Sequence, residues 1–135
     1  MEAGKKQIIL LVDDDEFYLD TAEAILKEKY NIVTAKSGKE AISCLFKGTV
    51  PNLILLDIMM PRMDGWKTYS RLKGISLLKE VPILFVTALY EASDMKHAFD
   101  IGAADYITKP YRKNDLLDRI EKTIIKRAGE LRSEP

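Results

Sequence analysis

Five short apolar runs punctuate the chain, at positions 8–12, 31–35, 52–56, 82–86 and 104–108. Polar or turn-forming residues bound each run, so each reads as a buried strand. Between the runs, apolar residues recur at helical spacing. This predicts helices at about 16–29, 38–47, 64–73, 91–101 and 112–127. In the first helix Phe17, Ala22, Ile25 and Leu26 are expected to form the buried stripe. In the last, Leu116, Leu117, Ile120, Ile124 and Ile125 are. Strands alternating with helices imply βαβ units, and near-continuous apolar strands imply a parallel sheet covered on both faces. Five such units fill residues 7–127. Residues 1–6 are then an N-terminal tail. Residues 128–135, with Gly129, Ser133 and Pro135, are a C-terminal tail or the start of a linker.

Composition narrows the possibilities. A chain of 135 residues is long enough for one domain with a real core and too short for two. Lys and Arg number 21, as do Asp and Glu, so the net charge is zero. That argues against a basic surface, so neither nucleic-acid nor membrane binding is expected. No apolar run approaches the ~18 residues of a membrane span, and Met1 to Gln7 carry no signal-peptide core. The single cysteine, Cys44, excludes an internal disulfide and fits a reducing, cytoplasmic setting. With no catalytic or metal-ligating companion in sequence, it reads as helix packing.

In an open α/β sheet, ligands bind just beyond the carboxyl ends of the strands. Asp13, Asp14 and Asp15 follow the first strand; Asp57, Ile58 and Met59 the third; Thr87 and Ala88 the fourth; Lys109 and Pro110 the fifth. Adjacent carboxylates at the end of a buried strand repel. At ~4 Å two like charges cost about 4 kcal/mol at an effective dielectric of 20. A cation, a lysine or a retained proton has to offset that. Asp13, Asp14 and Asp57 offer oxygen alone, the donor set of a hard cation such as magnesium. Lys109 adds a compact positive charge and Thr87 a hydroxyl. A carboxylate, a hard cation, a lysine and a hydroxyl make a phosphoryl-transfer site, with the carboxylate a possible nucleophile. Asp15 reads instead as a helix cap, and Asp64-Gly65 as a turn into the third helix. His97, the one histidine, reads as a surface or packing residue, and Trp66 as packing near the site loop.

The segments LLVDDD (10–15), LILLDIMMPRMDG (53–65), ILFVTA (83–88) and DYITKP (105–110) resemble, in order and spacing, the CheY-like receiver domain of two-component response regulators. The resemblance covers about residues 7–127. It implies a flavodoxin-like (βα)5 doubly wound fold with strand order 2-1-3-4-5. It implies Asp57 as phosphoacceptor and Asp14 as a direct ligand of Mg2+ (or Mn2+). Asp13 would reach the metal through water, and Met59 would supply a backbone carbonyl. Thr87 and Lys109 would bind the phosphoryl oxygens, and the Lys109–Pro110 bond would be cis. The implied partner is a histidine kinase or phosphotransfer protein. The implied role is a signalling phosphoacceptor, not an enzyme.

Tyr106 lies where the family often carries an aromatic switch that turns inward on activation. The face of the fourth helix, fifth strand and fifth helix would then engage a partner or a second copy. In the family, the positions held here by Met59 and Leu89 border the path of attacking water, and these apolar side chains cannot hydrogen-bond it. A long-lived phosphorylated state is therefore expected. A receiver used only as a docking module would lack site residues that are present here. An aspartyl phosphatase of the haloacid dehalogenase type needs Asp-x-Asp-x-Thr, and Phe17 stands at the threonine. A flavodoxin needs a Ser/Thr/Gly-rich phosphate loop where this chain has acids.

Overall fold

Alternate residues of each central strand point to opposite faces of one sheet, and both faces are covered. In a computed structural model, residues 6–133 are described, with side chains through residue 130. The N-terminal tail expected at 1–6 falls almost wholly outside them. The strands are β1 (Ile8–Val12), β2 (Asn31–Ala35), β3 (Leu53–Leu56), β4 (Ile83–Thr87) and β5 (Asp105–Thr108). All pair in parallel, in the order 2-1-3-4-5. The helices are α1 (Glu16–Leu26), α2 (Gly38–Phe46), α3 (Gly65–Lys73), α4 (Ala92–Asp100) and α5 (Lys113–Ser133). A short 3-10 turn, Ser76–Leu78, interrupts the connection from α3 to β4, where no element was expected.

Parity along the strands divides the core. Ile9, Leu11, Leu53, Leu55, Leu84 and Val86 join the cluster that also holds Leu19 of α1 and Leu116 of α5. Leu10, Val12, Ile54, Leu56 and Phe85 join the opposite cluster, with Ala41 of α2, Leu72 of α3 and Ala98 of α4. Each such aliphatic side chain contributes roughly 1.5–3 kcal/mol by leaving water.

Three helical expectations need correction, the first at Ile125, which is 61% exposed and lies off the buried stripe of α5. The buried stripe of α1 is Leu19, Ala22 and Leu26, while Phe17 is 66% exposed. At about 100° per residue, Phe17 lies half a turn from Leu26 and Leu19 lies almost beneath it. The fifth helix also continues past 127, to Ser133. Gly129 costs about 1 kcal/mol in a helix interior, but it ends a helix only when it takes the left-handed conformation. Arg127 anchors the added turns by pairing with Glu80 at 2.6 Å and with Glu130 at 3.3 Å.

Candidate functional site

The ladder hydrogen bonds run one residue beyond the strands and fix the rim. The Asp13 N–H donates to the Ala35 carbonyl, the Asp57 N–H to Val12, and the Lys109 N–H to Thr87. The side-chain parity of the strands therefore persists. Asp13 continues Ile9 and Leu11, Asp57 continues Leu53 and Leu55, and Lys109 continues Ile107, all on the α1/α5 side. Thr87 and Tyr106 fall on the other parity.

Short-range bonds hold the loops. Asp13 Oδ1 accepts from the Asp15 N–H at 2.9 Å, and Asp15 Oδ1 accepts from the Phe17 N–H at 2.9 Å. The first bond turns the chain, and the second caps α1. Asp57 Oδ1 accepts from the Met59 N–H at 3.2 Å. Asp64 caps α3 through the Lys67 N–H. The Gly65 N–H donates to the Ile58 carbonyl at 2.8 Å, which presses α3 against the Asp57 loop. A Cβ at Gly65 would overlap the Asp57 carbonyl and lie 2.5 Å from Ile58 Cα, so only glycine fits this close approach.

The expected residues converge. One carboxylate oxygen from each of Asp13, Asp14 and Asp57 lies within 4.8 Å of the others. Asp13 and Asp57 are buried and Asp14 is exposed. Lys109 Nζ donates to Asp13 Oδ2 at 2.6 Å and to Asp57 Oδ2 at 3.2 Å, and its side chain is only 7% exposed. One ammonium against three carboxylates leaves excess negative charge, which favours a further cation. The donors are all hard oxygens, so the cluster suits magnesium or manganese. The Lys109–Pro110 bond is cis.

Burial pushes the Asp13 carboxyl up from its ordinary 3.8 to about 6. The Asp57 charge adds to that rise, while the Lys109 ammonium and the Asp15 N–H oppose it. For Lys109, burial favours the neutral amine, but the bond to Asp13 and the charges of Asp57 and Asp13 outweigh it. Its pKa ends above the ordinary value. Burial is also the main reason that Tyr106 and Tyr111 are each pushed up to about 12.

The remaining expected residues lie around this centre. Thr87 is fully buried as the last residue of β4. Its Oγ1 meets the Leu89 N–H at 3.4 Å, long for a hydrogen bond. Tyr106 is buried, and its hydroxyl donates to the Leu89 carbonyl at 2.8 Å. Met59 is 55% exposed and Leu89 half-buried. His97 lies away from the carboxylates, with its ring 4.6 Å from that of Trp66, which in turn packs on Phe85 at 5.0 Å. One site residue has no counterpart in the sequence reading. The Tyr18 ring lies 4.1 Å from Lys109 Nζ. Its signal is positional, an aromatic in the first turn of α1 on the side shared by Asp13 and Lys109.

Residues 9–121 match the family profile of the response regulator receiver domain. The chain belongs to this family. Among curated relatives, the receiver is 36% identical over 132 residues to the "Probable transcriptional regulator ycf27" of Porphyridium aerugineum. That alignment covers 96% of this chain and 52% of the relative. It is 37% identical over 127 residues to the "Regulatory protein VanRB" of Enterococcus faecalis, covering 93% of this chain and 56% of the relative. The chain thus spans about half the length of these relatives. Among solved structures, a CheY-like receiver domain protein from Methanospirillum hungatei aligns with a TM-score of 0.84 at 28% identity. It covers 93% of this chain and 99% of that one. A putative response regulator from Chloroflexus aurantiacus aligns with a TM-score of 0.83 at 31% identity, over 90% and 99%. The flavodoxin-like, CheY-type fold and the two-component family are therefore those of this receiver.

Proposed function

We propose that this receiver accepts a phosphoryl group on the carboxylate of Asp57 and uses it as a signal. The observation that carries the reading is Lys109 Nζ bridging Asp13 and Asp57 at the carboxyl rim of the sheet. The donor is phospho-histidine on a histidine kinase or phosphotransfer protein, or a small acyl phosphate. An Asp57 oxygen attacks phosphorus, and the bond from phosphorus to the donor atom breaks. Its electron pair leaves with the donor.

The Met59 N–H and Lys109 orient the Asp57 carboxylate before attack. Lys109 and the Thr87 hydroxyl then bind oxygens of the transferred group. Asp13, Asp14 and Asp57, with the Met59 carbonyl, would hold Mg2+ (or Mn2+). When bound, that ion neutralises charge on the transferring group. The new charge beside Thr87 and Lys109 draws Thr87 toward it. Tyr106 and the face of α4, β5 and α5 respond, and that face engages a partner or a second copy.

Among the described residues no helix is long and apolar enough to cross a membrane. A kinase partner together with the balanced charge supports a cytoplasmic site of action without direct nucleic-acid contact. The test is incubation with acetyl phosphate and magnesium, read by intact mass. A single phosphoryl adduct is expected, lost in Asp57→Asn and on chelation of magnesium. No adduct, or an unchanged one in Asp57→Asn, refutes the reading.

A further inference from the structure

Lys109 carries three N–H groups on a flexible four-carbon stem. Two of them have carboxylate partners, Asp13 and Asp57. On a further side of the ammonium lies the Tyr18 ring, 4.1 Å from Nζ to its centroid, well within the range of a cation–π contact. That ring is itself fixed. The Tyr18 N–H donates to the Asp15 carbonyl at 3.1 Å in the first turn of α1. Its ring packs edge-on against Phe17 at 5.2 Å and tilted against Tyr111 at 5.8 Å. The cavity it shares with Asp13, Asp57 and Val86 has a volume of about 20 Å³, room for roughly one water. The ring is half-buried, so these two aromatic neighbours are what hold its orientation.

We propose that Tyr18 is a positioning residue for Lys109, its ring face holding Nζ between Asp13 and Asp57 where an incoming phosphoryl oxygen must be met. This rests on Asp57 being the phosphoacceptor. The chemistry of a ring suits the task better than a third carboxylate would. On phosphorylation Lys109 has to exchange its Asp57 partner for a phosphoryl oxygen. A carboxylate in the place of Tyr18 would compete for that same N–H. A ring attracts the cation through its quadrupole and leaves the N–H directions free to be traded. A lysine without such a rest would sample orientations toward exposed Asp14 and water. Small misplacements of a catalytic group carry large penalties in rate.

Two readouts test this. The first is magnesium-dependent binding of beryllofluoride, a phosphoryl mimic, measured on the wild type, Tyr18→Phe, Tyr18→Leu, Lys109→Met and Tyr18→Leu/Lys109→Met. Tyr18→Phe keeps the ring and should retain wild-type affinity. Tyr18→Leu should weaken binding roughly threefold to thirtyfold, the range of a cation–π contact. In the Lys109→Met background the same change should have no further effect. The second is the proton resonance of the Lys109 ε-methylene. Ring current should shift it upfield in the wild type and in Tyr18→Phe, and it should return to the ordinary lysine position in Tyr18→Leu. Equal affinity in Tyr18→Leu, an undiminished loss in the Lys109→Met background, or an unshifted wild-type resonance overturns the proposal. If the wild type binds no beryllofluoride, the phosphoacceptor reading and the role of Tyr18 in it both fall. The resonance would still report whether ring and ammonium touch.

Discussion

Replacing Asp13 with asparagine should stabilise this receiver when magnesium is absent, although it damages the site. Burial holds the Asp13 carboxyl at about 6 against an ordinary 3.8. That gap of roughly two decades in proton affinity is worth ~3 kcal/mol at 1.36 kcal/mol per decade. The sign follows from proton counts. Between 3.8 and about 6 the folded state holds the proton that the unfolded chain has released. Stability therefore falls as pH rises through that window, and the full penalty persists above it. Asp13→Asn removes the ionisation but leaves one acceptor oxygen where the carboxylate uses two, Oδ1 for the Asp15 N–H and Oδ2 for Lys109, so one of these bonds is lost. The rise to about 6 already contains the opposing pull of Lys109, so the offset is the lost hydrogen bond, ~1 kcal/mol, and a net 1–3 kcal/mol is expected at pH 7.5. For a chain of this size that is roughly 4 °C in Tm per kcal/mol. The assay is urea or thermal unfolding in EDTA at pH 5, 6 and 7.5, repeated in excess magnesium. The gap between variant and wild type should shrink below pH 6. It should also shrink in magnesium, which stabilises the wild type more. A variant less stable than wild type in EDTA at pH 7.5, or a gap independent of pH, refutes the reasoning.

Other substitutions probe the surrounding frame. Gly65→Ala forces a Cβ into the Asp57 carbonyl and Ile58 Cα. It should lower stability by about 1–3 kcal/mol, the scale of overpacking, and slow phosphorylation by acetyl phosphate, measured by denaturant unfolding and adduct kinetics; wild-type values in both would refute the close-approach argument. Met59→Asn and Leu89→Glu introduce polar groups at the two positions that in the family border the path of attacking water, and each should speed decay of the phosphorylated protein in magnesium. Unchanged decay in both would remove apolar shielding as an explanation. Tyr106→Phe deletes the bond to the Leu89 carbonyl and should cost about 1 kcal/mol in chemical denaturation, with faster amide exchange in residues 88–91; unaltered exchange there would show that the bond does not hold this loop.

Legibility in the sequence followed the physics of each element. β1 matches its apolar run residue for residue, because a strand buried on both faces needs little beyond hydrophobicity; β2 matches too, although as an edge strand it leaves Asn31 and Thr34 exposed. The alternation of strands and helices dictates a parallel sheet, but the strand order was reached only through the family motifs. Phe17 falls off the buried stripe because apolar spacing alone does not carry the angular phase of the helix. The end of α5 was misplaced because Gly129 reads as a breaker in isolation and as a tolerated interior residue once Arg127 is anchored. At the site, Asp13, Asp57 and Lys109 stand out as charges at the ends of apolar runs. Tyr18 does not, since an aromatic in an amphipathic helix ordinarily signals packing. Strand parity carried through the ladder bonds puts Lys109 on the α1 side of the sheet, where the Tyr18 ring meets it.

The contacts of Trp66 with Phe85, tilted, and with His97, edge-on, give the molecule a built-in optical probe. It is the sole tryptophan in the chain. Its ring meets Phe85 of β4 and the imidazole of α4. Any displacement of α4 relative to the sheet alters the surroundings of one indole, with no second tryptophan to dilute the change. Titrations and stopped-flow experiments on the unlabelled protein can therefore follow the helix through ultraviolet emission alone.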